Sequence, residues 1–179
     1  HYFSIACPVS PSRFNDMSHI FDLNTRFFTE APEGEPWRSD PEVSPSKTKV
    51  FVAEGTLLAL IRRADRLNIW DQDTDLFLVF QSENDFSLEP NSYAVAVERE
   101  GSRLEKALEL YYARQAGGPY KVKFSPERGF VQVYGPQSGH GDVWLWRHEV
   151  WDERPVLYNP DFTFSSLRDP PVGNRIRAE

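Results

Sequence analysis

Cysteine occurs once in 179 residues, at Cys7, so the chain can close no disulfide within itself and has no cysteine set for a zinc knuckle. One cysteine is compatible with either redox compartment. Long apolar runs are missing as well, and none approaches the roughly 18 residues that a membrane span requires. Positive charge is scarce: 20 Lys and Arg stand against 27 Asp and Glu, a formal net charge of −7. No dense basic block interrupts that balance, which leaves nucleic-acid binding without electrostatic support and favours a metal or a neutral partner. There is no Gly-x-Ser-x-Gly elbow, Walker loop, paired-His motif or internal repeat. The first residue is His1 rather than methionine, which fits a processed or trimmed product, with any signal or anchor lying upstream.

What is present is the material of one globular domain, 40% hydrophobic and 14% aromatic, with 14 prolines. Phe14, Met17, Ile20, Phe21 and Phe27 recur at near-helical spacing and predict a helix over 11–30. Pro32, Pro36, Pro41 and Pro45 then allow neither helix nor central strand, so 31–47 reads as a surface loop. Residues 1–48 are thus expected to form a helix and a proline-rich loop packed on a core domain spanning 49–179. Within that domain the patterns predict a strand over 49–54, a helix over 55–64, a buried strand over 74–80 and a further strand over 92–99. A helix over 102–118 follows, capped by Ser102 and Glu105, with Leu104, Ala107, Leu108 and Tyr111 on one face and Gly117-Gly118 at its end. "YKVKF" and "GFVQVYG" form a hairpin and 141–146 returns as a strand. The expected fold is α/β (α+β), a single domain built on a mixed sheet.

The stretch "IWDQDTDLFLVF" places Asp71, Asp73 and Asp75 at alternate positions beside an apolar run. In a strand such residues share one face, about 6.5–7 Å apart, and a divalent cation removes the cost of gathering like charges. Magnesium in phosphoryl-transfer sites is held by one or two carboxylates together with substrate phosphates. A solvated acidic turn is the plainer alternative. An EF-hand loop is excluded, since its glycine and bidentate glutamate would fall on Leu76 and Ser82. Upstream, a strand ending at Gly55-Thr56 opens a helix whose N–H groups suit phosphate. Asp142 begins an aromatic strand as Asp75 begins an apolar one, and is placed to be a later carboxylate ligand. A phosphate-holding turn, a carboxylate pair and a later carboxylate form a nucleotidyltransferase-like arrangement.

Other residues carry weaker readings. His140, between Gly139 and Gly141, is either an acid/base or acceptor-holding group or a turn residue. Glu54 is either a supporting group near the site or an exposed strand end. Trp70 and Trp144 read as core rather than ligand-stacking residues. His148, Glu149 and Asp152 have only a weak metal-like spacing and read as solvated.

The blocks "GTLLALIRR", "WDQDTDL" and "HGDVWLW" resemble, in order, the motifs of the LicD/fukutin family. The resemblance implies a nucleotidyltransferase-like fold and a metal-dependent phosphotransferase. Such an enzyme moves a phospho-alcohol or phospho-sugar from a nucleotide-diphosphate-linked donor, CDP-linked in the favoured case, to a glycan or glycoprotein hydroxyl. Carried over by position, Gly55 and Thr56 would contact donor phosphates and Arg62 would be the motif arginine. Asp73, Asp75 and Asp142 would hold Mg²⁺ or Mn²⁺, with Asp71 as a further ligand or supporting carboxylate. Asp71 or His140 would take the acceptor proton. Eukaryotic relatives work in the Golgi lumen and bacterial ones in the cytoplasm. Arg63 stands where the family has histidine, Ile69 replaces a common proline, and the segment leading to Trp70 is one residue longer. Family domains also continue beyond the point where "FSSLRDPPVGNRIRAE" ends, so the domain is expected to be shortened. Two alternatives accompany this reading: a non-catalytic metal- or glycan-binding effector that retains the fold, and an adenylylating enzyme on the same scaffold.

Overall fold

Seven strands form a single sheet in a computed structural model that describes residues 9–30, 48–63, 67, 72–81, 92–151, 154–159 and 176–177. In chain order the elements are α1 (Pro11–Glu30), β1 (Thr48–Val52), α2 (Glu54–Arg63), β2 (Asp75–Gln81), α3 (Ser92–Gln115), β3 (Lys121–Ser125), β4 (Phe130–Tyr134), β5 (His140–Trp151), β6 (Arg154–Tyr158) and β7 (Ile176–Arg177). The strand order is β1-β2-β5-β4-β3, with β6 pairing β5 and β7 pairing β6. β2 and β5 run parallel and the other pairs antiparallel, giving the mixed sheet flanked by helices that the sequence pattern predicts. The proline-rich segment 31–47 lies outside the described residues. No helix among the described residues is long and apolar enough to cross a membrane.

The pleat sorts side chains onto two faces. Leu76, Leu78, Val131, Val133, Val143 and Leu145 meet Ile20, Leu23, Phe27 and Phe28 of α1 and Leu104, Ala107, Leu108, Tyr111 and Tyr112 of α3, forming the main core. Burying each large side chain contributes about 2 kcal/mol. The opposite face carries a smaller cluster of Val79, Phe130, Trp144 and Trp146, with Phe77 against it. The two faces therefore differ in kind: one is sealed by helices and the other carries the acidic residues described below.

Helix α1 is fastened at two points along its buried stripe. Tyr112 Oη donates to Asn24 Oδ1 at 2.9 Å and to the Ile20 carbonyl at 3.2 Å. Nearer its start, Asp16 Oδ2 accepts from the backbone N–H groups of Gln137 and Gly139 at 2.5 and 3.4 Å. A Cβ on Gly139 would lie 2.4 Å from Asp16 Cβ and 2.7 Å from the Arg13 carbonyl, so only glycine lets the β4–β5 turn approach the helix this closely.

The strand predicted over 92–99 is instead the first part of α3, and Ser102 therefore sits inside a 24-residue helix rather than capping one. Val95 and Val97 imitate a strand period, but the alanines beside them and Glu98–Glu100 propagate helix into the amphipathic run that follows. Gly101 is a packing residue: a Cβ there would come within 2.1 Å of the Phe124 ring. Glu105 does not close a capping box, because its Oε1 accepts from the Phe124 N–H at 2.8 Å.

Candidate functional site

Because β2 and β5 are parallel neighbours, both begin at the same end of the sheet, and Asp75 is the register partner of Asp142. Both lie on the face opposite α1 and α3, since Leu76 and Val143, the next pair, point into the helix-covered core. Backbone bonds hold this end rigidly. Asp142 N–H donates to the Thr74 carbonyl at 2.7 Å and Ala53 N–H donates to the Asp75 carbonyl at 3.1 Å. Asp75 N–H donates to Thr56 Oγ1 at 2.9 Å. Gly141 makes room for this junction, because a Cβ there would meet Thr74 Oγ1 at 2.6 Å and Ile20 Cγ2 at 2.7 Å.

Residues 72–73 form a bend before β2, so the expected alternation of Asp71, Asp73 and Asp75 along one strand does not hold for Asp73. The bend carries Asp73 back over the start of β5. His140 Nε2 lies 3.5 Å from Asp73 Oδ2, and one ligand atom from each of Asp73, His140 and Asp142 falls within 4.8 Å of the others. Two carboxylates and an imidazole converging in this way form a donor set suited to a divalent cation.

The electrostatics of the cluster follow from burial. Asp142 is 6% exposed, and desolvation pushes its pKa up to about 6, with the Asp73 charge adding to the rise. The Gln132 amide, His140 and Arg128 act in the other direction. Gln132 Nε2 donates to Asp142 Oδ1 at 2.7 Å and the Tyr134 hydroxyl donates to Gln132 Oε1, a relay that orients the carboxylate. His140 is raised above its ordinary value, first by its hydrogen bond to Asp73 and then by the nearby carboxylate charges, against the opposing effects of burial and Arg13. Arg128 lies over the Phe130 ring at 4.5 Å and near Trp144 at 5.9 Å.

Comparison with known proteins finds only distant similarity. No protein-family profile and no curated protein matches the chain. Among solved structures it is similar to the STING-associated CdnE c-di-GMP synthase of Capnocytophaga granulosa, at 8% identity and a TM-score of 0.41, over 87% of this chain and 41% of that one. It is also similar to the CD-NTase CdnG of Bradyrhizobium diazoefficiens, solved with GTP, at 15% identity and a TM-score of 0.39, over 87% of this chain and 38% of that one. The chain thus spans about two-fifths of the length of these proteins.

The residues singled out in the sequence fall in several places. Asp73, His140 and Asp142 are brought together. Asp75 adjoins Asp142 in register, but its Oδ1 accepts from Trp144 Nε1 at 3.1 Å and it does not belong to the converging three. Asp71, Trp70 and Asp152 lie outside the described residues. Gly55 and Thr56 stand inside the first turn of α2, which begins at Glu54. Thr56 is 1% exposed, with its hydroxyl bound to the Asp75 main chain, so it acts as a lock between α2 and β2. Arg62 is exposed on α2, and no contact among the described residues joins it to the cluster. Trp144 is core, at 8% exposure. His148 and Glu149 continue β5 beyond the site, His148 pairing with Gln81 and Glu149 with Val156.

Sequence reasoning passed over Gln132, Tyr134, Arg13 and the two lysines of β3. Gln132 had a readable signal, being a polar residue at the centre of the buried strand "FVQVY". Arg13 had none, since only the docking of α1 brings its Nη2 within 2.8 Å of the Gln72 carbonyl at the bend. Lys121 and Lys123 pair with Tyr134 and Gln132, which in turn pair with His140 and Asp142. The lysines therefore stand on the site's face of the sheet at its β3 edge.

Proposed function

We propose that this chain is a metal-dependent transferase of nucleotidyltransferase-like architecture, and that it moves a phospho-alcohol or phospho-sugar from a nucleotide-diphosphate-linked donor to a glycan hydroxyl, as its LicD/fukutin-like motifs imply. The observation that carries this reading is the convergence of Asp73 and Asp142, far apart in sequence, at the shared end of two parallel strands. The donor set fits the group: two carboxylates, one of them buried and destabilised as an anion, gain from a nearby cation. Mg²⁺ or Mn²⁺ held there would neutralise the phosphates of the donor. The chain's own residues supply positioning. Gln132 aims the Asp142 carboxylate, Trp144 holds that of Asp75, and Arg13 fixes the bend that carries Asp73. Lys121 and Lys123 place positive charge along the same face, where the donor's anionic portion would lie.

A second reading, a metal-binding module without transfer activity, is favoured by one observation: Thr56, expected at the donor phosphates, is buried and engaged with the main chain. Thermal melting with Mn²⁺ and a panel of CDP, UDP, GTP and ATP separates these readings. Stabilisation by CDP that is lost in Asp142→Asn supports the phosphotransferase. A preference for ATP or GTP would redirect the reading to nucleotidyl transfer. No stabilisation by any nucleotide, with metal still bound, would favour the binding module.

A further inference from the structure

Resting on that metal-centre reading, we propose that His140 is the third protein ligand of the ion held by Asp73 and Asp142, and that its imidazole makes the site select Mn²⁺ over Mg²⁺. The sequence alone offers His140 as an acid/base or acceptor-holding residue. The fold gives it a different position.

His140 and Asp142 are two residues apart on β5, and the pleat turns both to one face. The bend at Asp73 closes the third side, with His140 Nε2 3.5 Å from Asp73 Oδ2 and the three donor atoms within 4.8 Å of one another. Metal–ligand bonds of about 2.1 Å place adjacent donors about 3 Å apart and opposite donors about 4.2 Å apart, so the three donors draw together when an ion binds. The imidazole is half-buried, its ring 5.8 Å from that of Tyr134 and tilted by 35°, and this neighbour limits its rotation. Gly139 and Gly141 hold the strand start against α1 and Thr74, where a side chain would force it away from the bend. The approach of His140 to Asp73 is therefore set by the backbone.

The chemistry follows from the donor set. Mg²⁺ strongly prefers oxygen ligands and keeps much of its hydration, whereas imidazole suits the first-row transition ions, for which affinity is lowest at Mn²⁺ and rises to a maximum at Cu²⁺. One nitrogen among three protein donors therefore penalises Mg²⁺ relative to Mn²⁺. As a ligand, Nε2 has its lone pair on the metal and cannot also accept the acceptor's proton, so the inference takes His140 out of the acid/base role.

The test is direct metal binding to the full chain without nucleotide. Isothermal titration with Mn²⁺ and with Mg²⁺ would be run on the wild type, His140→Ala, His140→Asp and Asp142→Asn, alongside pulsed electron paramagnetic resonance of the Mn²⁺-loaded wild type. The expected results are a ¹⁴N coupling on the bound Mn²⁺ and a loss of Mn²⁺ affinity of about 10-fold or more in His140→Ala, with Mg²⁺ affinity changed less than about 3-fold. His140→Asp, which restores an all-oxygen set, should shift the Mn²⁺/Mg²⁺ preference toward Mg²⁺. If the wild type shows no ¹⁴N coupling and His140→Ala binds Mn²⁺ normally while Asp142→Asn does not, the metal centre stands and His140 is not a ligand. If Asp142→Asn also binds normally, or the wild type binds neither ion, the metal-centre reading falls and this inference falls with it. The resonance experiment uses unaltered protein, so the question stays answerable even where a variant misfolds.

Discussion

Replacing Asp142 with Asn should stabilise the metal-free protein while destroying metal binding. Burial raises the Asp142 pKa from an ordinary 3.8 to about 6, which means that the folded protein holds this carboxylate as an anion at a cost. At about 1.4 kcal/mol per pH unit the gap corresponds to about 3 kcal/mol, as an upper figure. Asparagine is nearly isosteric with the protonated acid and keeps an oxygen to accept the Gln132 amide. Its own amide needs a partner and the attraction to His140 is lost, so a net gain of about 1–3 kcal/mol is the working expectation. The sign depends on pH. Below 3.8 the carboxyl is protonated whether folded or unfolded and the cost vanishes; it grows as pH rises toward about 6 and is complete above that value. Urea unfolding in EDTA at pH 8 should therefore show the variant more stable than the wild type, with a melting temperature higher by about 2–12 °C. At pH 4 the two should nearly coincide. Mn²⁺ at 100 times its dissociation constant would add about 2.7 kcal/mol to the wild type alone and cancel or reverse the order. A metal-free variant less stable at pH 8, or a difference independent of pH, would refute the account of Asp142 as a desolvated ligand awaiting a cation.

Other substitutions probe the scaffold around the site. Gly139→Ala forces a Cβ against the backbone of α1 and should cost about 2–3 kcal/mol in chemical unfolding, with earlier amide exchange near Asp16. Thr56→Val removes the hydroxyl that accepts from the buried Asp75 N–H and should cost about 1–3 kcal/mol, most of which Thr56→Ser should recover. Trp144→Phe removes the indole donor from Asp75 Oδ1 and should lower the urea midpoint by the equivalent of about 2 kcal/mol at neutral pH. Tyr112→Phe deletes the hydroxyl that ties α3 to Ile20 and Asn24, with an expected loss of about 1–2 kcal/mol and no change in metal affinity.

The strands that build the site could be read from the sequence because their signals were strong: an unbroken apolar run after Asp75 and an aromatic alternation after Asp142. That these two strands are adjacent and in register is a tertiary fact, and only a resemblance could suggest it beforehand. The misreading of 92–99 has a local cause, two valines at strand spacing followed by a glycine whose purpose is to admit Phe124. The acidic triplet misled in another way. It invited a strand geometry for all three members, whereas Asp73 reaches Asp142 because the chain bends before β2 begins. Gln132 shows what a polar residue inside a buried strand can indicate, while Arg13 and the close packing at Gly139 depend on where α1 docks, which no local pattern encodes.

The most direct test of the central claim is a crystal structure of the protein with Mn²⁺ and CDP, with the metal located by anomalous scattering. One strong peak is expected about 2.0–2.4 Å from carboxylate oxygens of both Asp73 and Asp142, with the His140 imidazole and diphosphate oxygens completing the coordination on the sheet face opposite α1 and α3. Loss of that peak, or an ion bound elsewhere with both carboxylates free, would contradict the claim.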